Sequence, residues 1–281
     1  MNGFDFGVLW QAGRAVLDGQ SPYSVAHFFY PLPVAYLFAT FALIPQRIAF
    51  GVWLAANAGL LVFMLRKRVV AWALYFPVLH MFSSGQVDLV LWALGARMRS
   101  GWTAALAGAA ITLKPQVALV LLPWHLLRWL RSDRRTFARW AVSVAALWGG
   151  FLLLRPGWPR EWLAAAPQFG YTTRGNAPSL WAIERHASWS VAAIALLAVL
   201  VFAWGVLQQR KVAWAAAALA NPVGLFYDHV VLTAAAPAWL LVPLSWAAVG
   251  LTVWLGSFVP WMLLPLAVIA YQRRRAGADG G

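Results

Sequence analysis

The sequence has no cysteine and very few carboxylates. Among its 281 residues there is no Cys, and Asp and Glu together number only 8. Without cysteine the protein can have no disulfide bond, no thiolate nucleophile and no cysteine-ligated metal. Charged residues make up 11% of the chain, whereas an ordinary soluble domain has about 25%. The composition therefore does not favour a soluble fold.

Apolar residues are correspondingly abundant. They account for 62% of the sequence, and the mean hydropathy is +0.68. Long apolar runs follow one another along most of the chain, and the 19 Trp and 7 Tyr suit membrane–water interfaces. We predict an all-α polytopic membrane protein with roughly 9–11 apolar helical segments, some of them short or re-entrant. We expect a single transmembrane domain over residues 1–281.

The net charge of +14 raises the question of nucleic-acid binding. Most Lys and Arg stand in short clusters between apolar runs, which is typical of cytoplasmic loops under the positive-inside rule. We therefore predict contact with the lipid bilayer and none with nucleic acid. Four polar stretches alternate with the basic clusters and are expected to share one outer face: 85–88, 113–116, the external loop 155–188, and 227–229.

The segment 1–30 is polar and punctuated by glycine and proline, and we expect it to form an external catalytic loop. Two of the rare carboxylates, Asp5 and Asp18, lie in it. A carboxylate beside a bilayer is costly unless it faces water or a partner. Partial burial would raise the pKa of Asp5 and let it accept a proton, and a solvated aspartate is the alternative. Asp18 precedes Gly19 and is typical of a turn.

Two of the polar stretches carry side chains suited to a sugar or a phosphate. Gln86 can both donate hydrogen bonds to a sugar hydroxyl and accept them. Asp88 either joins Gln86 or complements a helix N-terminus. Lys114 is expected either to bind a phosphate as a point charge or to extend to the membrane interface.

The other two stretches lie later in the chain. Asn176 and Ser179 are expected to bind the hydroxyls of a carbohydrate, with a purely structural loop as the alternative. His229, beside Asp228, is expected to contact a phosphate or relay a proton, and a helix cap is the alternative. The remaining histidines have no spacing typical of a metal site, so we predict none.

The order of these motifs resembles glycosyltransferase family 87. The residues that carry the resemblance are DF at 5–6, WQAGRAVLDG at 10–19, PY at 22–23, FYPLP at 29–33, GQVD at 85–88, LKPQ at 113–116, NAPSLW at 176–181 and DH at 228–229. The resemblance implies a C-type glycosyltransferase membrane fold. It also implies inverting transfer of a hexose, with mannose favoured, from a polyprenyl-phosphate donor to a lipid or glycan acceptor, without a cofactor.

The resemblance also implies roles for single residues. Asp5 matches the catalytic base, and His229 matches a histidine that approaches the donor phosphate. Lys114 and Arg14 match weaker phosphate or acceptor contacts. The residues expected to bind substrate are Tyr30, Gln86, Asp88, Asn176, Ser179 and Asp228.

The resemblance further implies an active face on the outer side of the plasma (inner) membrane, in cell-envelope glycolipid or polysaccharide synthesis. Members have a membrane helix before the catalytic loop, whereas only four residues precede Asp5 here. We therefore expect this chain to lack the family's first membrane helix.

Two other functions remain open from the residues alone. A transporter or flippase of lipid-linked sugars would use the same polar cavity without a base. Such proteins often have repeated halves, and the sequence has no convincing internal repeat. A non-catalytic membrane assembly subunit would tolerate neutral residues at both Asp5 and His229.

Overall fold

A computed structural model describes residues 3–165, 177–185 and 190–278. Within these ranges the chain forms fourteen α-helices and no β-strand, which confirms the predicted all-α class. The helices are α1 Phe4–Leu17, α2 Leu32–Ala39, α3 Gln46–Leu65, α4 Val69–Trp72, α5 Phe76–Ser84, α6 Asp88–Arg97, α7 Gly101–Ile111, α8 Pro115–Ser132, α9 Arg134–Leu154, α10 Trp158–Ala165, α11 Val191–Val206, α12 Arg210–Ala220, α13 Ala238–Leu255 and α14 Leu263–Ala278.

In the described ranges, three helical stretches are long and apolar enough to cross a membrane: Gln46–Trp72, α9 and α13. The shortest has 18 residues, and at about 1.5 Å per residue it nearly matches a hydrocarbon core about 30 Å thick. In the most apolar window of α9, only 6% of the residues are buried in the protein. Apolar helices exposed to this degree present a surface for lipid rather than for water.

The described residues divide into two compact units, and the single transmembrane domain expected from the sequence stays a prediction. The first unit contains the described residues of Met1–Arg66, Met81–Pro115 and Trp129–Gly170. The second unit contains those of Lys67–His80, Gln116–Arg128 and Tyr171–Gly281. Each unit is therefore assembled from segments that are distant in the sequence.

Much of the segment 1–30 is helical, because α1 lies within it, and its role as an external catalytic segment stays a prediction. Phe6, Leu9 and Gly13 lie on the buried face of α1. A Cβ atom added at Gly13 would lie 2.4 Å from the carbonyl carbon of Phe38 in α2. Only glycine permits the two helix backbones to approach so closely. Gly13, one of the glycines that punctuate the segment 1–30, is therefore a helix-packing contact.

The second unit is held together by small residues and short helical turns. A Cβ at Gly205 of α11 would lie 2.2 Å from the Cβ of Ala216 in α12, so these two helices also pack with their backbones close. Two 3-10 helices, Leu180–Arg185 and Phe226–Ala234, belong to this unit. The first of them lies within the expected external loop 155–188, as does α10, which belongs to the first unit.

Candidate functional site

Asp5 lies in the first turn of α1, beside a tight turn that follows α5. Gly85 in that turn has φ +79°, and an added Cβ would meet the Cβ of Phe6 at 2.6 Å. The indole Nε1 of Trp53 donates to the carbonyl oxygen of Gly85 at 3.1 Å, and the backbone N–H of Gly3 donates to Ser83 O at 3.1 Å. Glycine at 85 therefore lets the turn approach the start of α1, where Asp5 lies.

The Asp5 carboxyl is half-buried, and this burial raises its pKa above the ordinary value of 3.8. Hydrogen bonds from Gln86 and Ser84 and the positive charge of Lys114 partly oppose the rise, and the negative charge of Asp88 adds to it. A carboxylate whose pKa is raised but which still receives hydrogen bonds is suited to accept a proton from a substrate hydroxyl.

Gln86 links Asp5 to the neighbouring polar groups. Its Oε1 accepts from the Tyr30 hydroxyl at 2.8 Å and from Lys114 Nζ at 3.3 Å. Because Oε1 faces these two donors, the amide nitrogen is the group that donates to Asp5. The side chain is buried and its hydrogen bonds go to protein groups, so Gln86 positions the Asp5 carboxyl.

Asp88 and Lys114 form a buried ion pair next to Gln86. Lys114 Nζ lies 2.5 Å from Asp88 Oδ2, and both side chains are 1% exposed. Asp88 begins α6, where a negative charge also complements the helix dipole. The alternative in which Lys114 extends to the membrane interface is wrong, because Asp88 holds its ammonium group inside the protein. We call Asp5, Tyr30, Gln86, Asp88 and Lys114 the polar cluster.

Arg14 lies away from the polar cluster, although it shares α1 with Asp5. Nine residues at about 1.5 Å rise each separate the two along the helix. The Arg14 Nε donates to Asp18 Oδ2 at 3.1 Å, and both side chains are about half exposed. Asp18 also ends α1 as its C-cap residue. The turn predicted at Asp18 therefore occurs as the end of a helix.

Asp228 and His229 belong to the second unit, in the 3-10 helix Phe226–Ala234. Asp228 Oδ2 accepts from the backbone N–H of Leu225 at 2.6 Å and so caps this helix. The ring of His229 is buried against Trp261, with 5.9 Å between ring centroids. Burial lowers the pKa of His229 to about 4. The imidazole is therefore neutral at pH 7 and can act as a hydrogen-bond donor but not as a cation.

Ser179 has a structural partner in the second unit, and Asn176 lies outside the described residues. The buried Ser179 hydroxyl donates to the carbonyl oxygen of Asn221 at 2.7 Å. The side-chain amide of Asn221 in turn donates to Gln116 O at 3.0 Å. Ser179 and Asn221 thus join two loops of this unit to the start of α8.

The sequence analysis assigned no role to three residues that organise these sites. Ser84 hydrogen-bonds Asp5, Gly85 permits the close turn, and Asn221 anchors Ser179. Gly85 could have been found from its place in the GQVD motif, since an isolated glycine next to polar residues often marks a close backbone approach. In the described part of the chain, no group of three or more His, Asp or Glu side chains could hold a metal.

The all-helical architecture and the exposed apolar helices define the class of an all-α membrane protein. The sequence model of glycosyltransferase family 87 matches residues 28–227, and the chain belongs to that family. It is therefore a membrane glycosyltransferase. No match is found among curated proteins or among solved structures.

Proposed function

We propose that this membrane glycosyltransferase moves a hexose from a polyprenyl-phosphate donor to a lipid or glycan acceptor, with inversion and with Asp5 as the general base. The observation that carries the proposal is the environment of Asp5. Its carboxyl is half-buried, its pKa is raised by burial, and Gln86 and Ser84 hold it in place. These are the properties that a base needs at neutral pH.

The proposed step is a single displacement at the anomeric carbon. An Asp5 carboxylate oxygen takes the proton of the acceptor hydroxyl while that hydroxyl oxygen forms a bond to the anomeric carbon. The bond from the anomeric carbon to the phosphate oxygen breaks, and polyprenyl phosphate leaves with the electron pair. The transition state resembles an oxocarbenium ion, as in glycoside hydrolysis, and attack opposite the leaving group inverts the configuration.

Contacts to the departing phosphate are a second part of the proposal. Lys114, His229 and Arg14 are the candidates from the motif order. Lys114 would have to exchange Asp88 for the phosphate, since its Nζ lies 2.5 Å from that carboxylate. His229 would donate a hydrogen bond from a neutral ring, which stabilises developing charge at the phosphate without adding a cation.

The family match covers some of the proposed site residues and not others. It spans 28–227 and so covers Tyr30, Gln86, Asp88 and Lys114. Asp5 and His229 lie outside it, and their roles rest on the order of the motifs and, for Asp5, on its contacts with Gln86. Mannose as the sugar and a place in envelope synthesis rest on the resemblance alone. An extracytoplasmic active face rests on the resemblance and on the alternation of polar stretches with basic clusters.

The test is sugar transfer in proteoliposomes supplied with labelled polyprenyl-phosphate mannose and extracted native lipids. Loss of a general base lowers the rate by about 10²–10⁴-fold, so Asp5→Asn is expected to lose transfer by that factor. Asp18→Asn is the matched control, because it removes the same charge from the same helix at an exposed site. It is expected to transfer at close to the wild-type rate.

The outcomes separate the proposals. Equal transfer by wild type and Asp5→Asn would remove Asp5 from the chemistry and point to Asp88 or Asp228. An Asp5→Asn variant that still binds donor but does not transfer sugar would support the enzyme over a flippase. Transfer from polyprenyl-phosphate glucose but not from the mannose donor would keep the mechanism and change the sugar.

A further inference from the structure

The second unit contains a cavity that the proposed chemistry does not use. Its volume is about 440 Å³. The first turn of α13 and the preceding residues 233–237 form one wall. Further lining residues come from α12 and α14, and Arg68, Ala71 and Trp72 contribute from around α4. Segments far apart in the sequence therefore enclose this space.

Three cationic side chains line the cavity: Arg68, Lys211 and Arg275. No Asp or Glu is among its lining residues in the described chain. Burial lowers the pKa of the half-buried Lys211, and the positive charges of Arg275, Arg210 and Arg68 lower it further. These neighbouring positive charges repel one another, and a bound anion would relieve that repulsion.

The rest of the lining is aromatic and apolar. Trp239 and Tyr271 form part of the rim, with 6.5 Å between their ring centroids, and the Arg275 guanidinium lies 6.0 Å from the Tyr271 ring. Trp239 is 71% exposed and lies in the first turn of α13, one of the candidate membrane spans. Tryptophan at the end of a span is typical of the headgroup region of a bilayer.

The positive-inside rule explains why Lys and Arg occur in loops, but it does not require them to surround one cavity. Arg68, Lys211 and Arg275 come from three separate parts of the sequence, and no described carboxylate in the lining balances them. Elsewhere in the chain, Lys114, Arg14 and Arg155 each have a carboxylate within 3.1 Å. An anion from outside the chain would balance the cations at this cavity.

We propose that this cavity binds a phosphate-bearing anion, held by Arg68, Lys211 and Arg275, with the aromatic rim in contact with its apolar part. A phospholipid headgroup and a soluble phosphate share the recognised group. The rim and the neighbouring membrane span favour the lipid, because a soluble phosphate has no apolar part to contact Trp239 and Tyr271. The site is independent of the proposed sugar transfer.

The test is the thermal unfolding midpoint of purified protein at low ionic strength, titrated with dihexanoyl phosphatidylglycerol, dihexanoyl phosphatidylcholine or inorganic phosphate. We expect phosphatidylglycerol to raise the midpoint and phosphatidylcholine to leave it unchanged. Each cation near an anionic lipid contributes about 1 kcal/mol, or about fivefold in affinity. Arg68→Gln and Lys211→Gln are therefore each expected to raise the half-saturating concentration about fivefold.

Two further variants keep the test specific. Arg274→Gln removes the same charge from α14 at a residue that does not line the cavity, and it should bind like the wild type. Lys211→Arg keeps the charge and should also bind, which separates loss of the site from loss of folding. Equal weakening by Arg274→Gln, or no rise in the midpoint with either anion, would overturn the proposal. A rise with inorganic phosphate equal to that with phosphatidylglycerol would support the site and identify the soluble anion.

Discussion

The two units place their cations in different surroundings. In the first unit, Lys114 is paired with Asp88 and hydrogen-bonded to Gln86, so its positive charge is balanced within the unit. In the second unit, Arg68, Lys211 and Arg275 surround a cavity with no described carboxylate in its lining. An internal partner fixes the position of a side chain, as Asp88 does for Lys114. An unbalanced group of cations instead creates affinity for an anion.

The largest loss of stability is expected from Lys114→Met, which removes the cation of the buried pair. The change leaves Asp88 buried without its cation, and breaking a buried pair costs about 3–5 kcal/mol of stability. The free energy of unfolding in mixed micelles measures the loss, with Lys67→Met as the control at an exposed lysine. A second change, Asp88→Leu, should restore part of the stability. A loss in Lys114→Met no larger than in the control would contradict the pairing.

A smaller effect is expected from Gly85→Ala, which tests how the turn supports the cluster. Both the positive φ and the contact with Phe6 oppose a side chain there, and such strain costs about 1–3 kcal/mol. Gly19→Ala is the matched control, because Gly19 has φ +72° but no atom within 4 Å of an added Cβ. We expect Gly85→Ala to unfold earlier than the control and to lose sugar transfer. Equal stability of the two variants would show that the close approach to α1 does not matter.

Asp18→Asn should change stability only slightly. It removes an exposed i,i+4 pair with Arg14, and such pairs contribute about 0.3–0.5 kcal/mol. Thermal unfolding at low and at high salt measures the difference between wild type and variant, which should shrink as salt screens the pair. A loss that is large and independent of salt would mean that Asp18 stabilises α1 mainly as its C-cap.

The smallest effect on stability is expected for Asp5→Asn, and its sign is the informative part. Because the folded state raises the pKa of Asp5, the unfolded chain releases this proton first as pH rises. The carboxylate therefore lowers stability progressively above about the ordinary pKa of 3.8. The variant should match the wild type in acid and unfold no earlier at pH 7, as followed by thermal unfolding across pH. A variant that is less stable only at neutral pH would mean that the Asp5 carboxylate is stabilised by its neighbours.

The sequence was enough to predict the helical class and the members of the polar cluster, but not how those members pair. Gln86, Asp88 and Lys114 stood out because polar residues are rare between apolar runs. Their pairing could not be predicted, since 26 residues separate Asp88 from Lys114 along the chain and side-chain packing decides which groups meet. The lysine therefore looked like a phosphate ligand when a carboxylate of the same unit was already its partner.

Helix α1 was missed for a different reason. Gly7, Gly13 and Arg14 suggested a broken, polar segment, because glycine is unfavourable in an isolated helix. The signal for a helix was present in the spacing of Phe6, Leu9 and Ala12, which lie three residues apart and share the buried face. Tertiary packing overrode local propensity, since the glycine at 13 allows close contact with α2.

The hydrogen bonds of Gln86 give the amide a fixed direction. Its carbonyl end faces Tyr30 and Lys114, and its nitrogen end faces Asp5. Hydrogen-bond donors at the carbonyl end withdraw electron density through the amide. This strengthens the hydrogen bond that the amide N–H donates to Asp5 at the other end. Tyr30, which hydrogen-bonds Gln86, is therefore coupled to the basicity of Asp5 through the amide. The acidity of a phenol can in this way set the readiness of a carboxylate to take a proton.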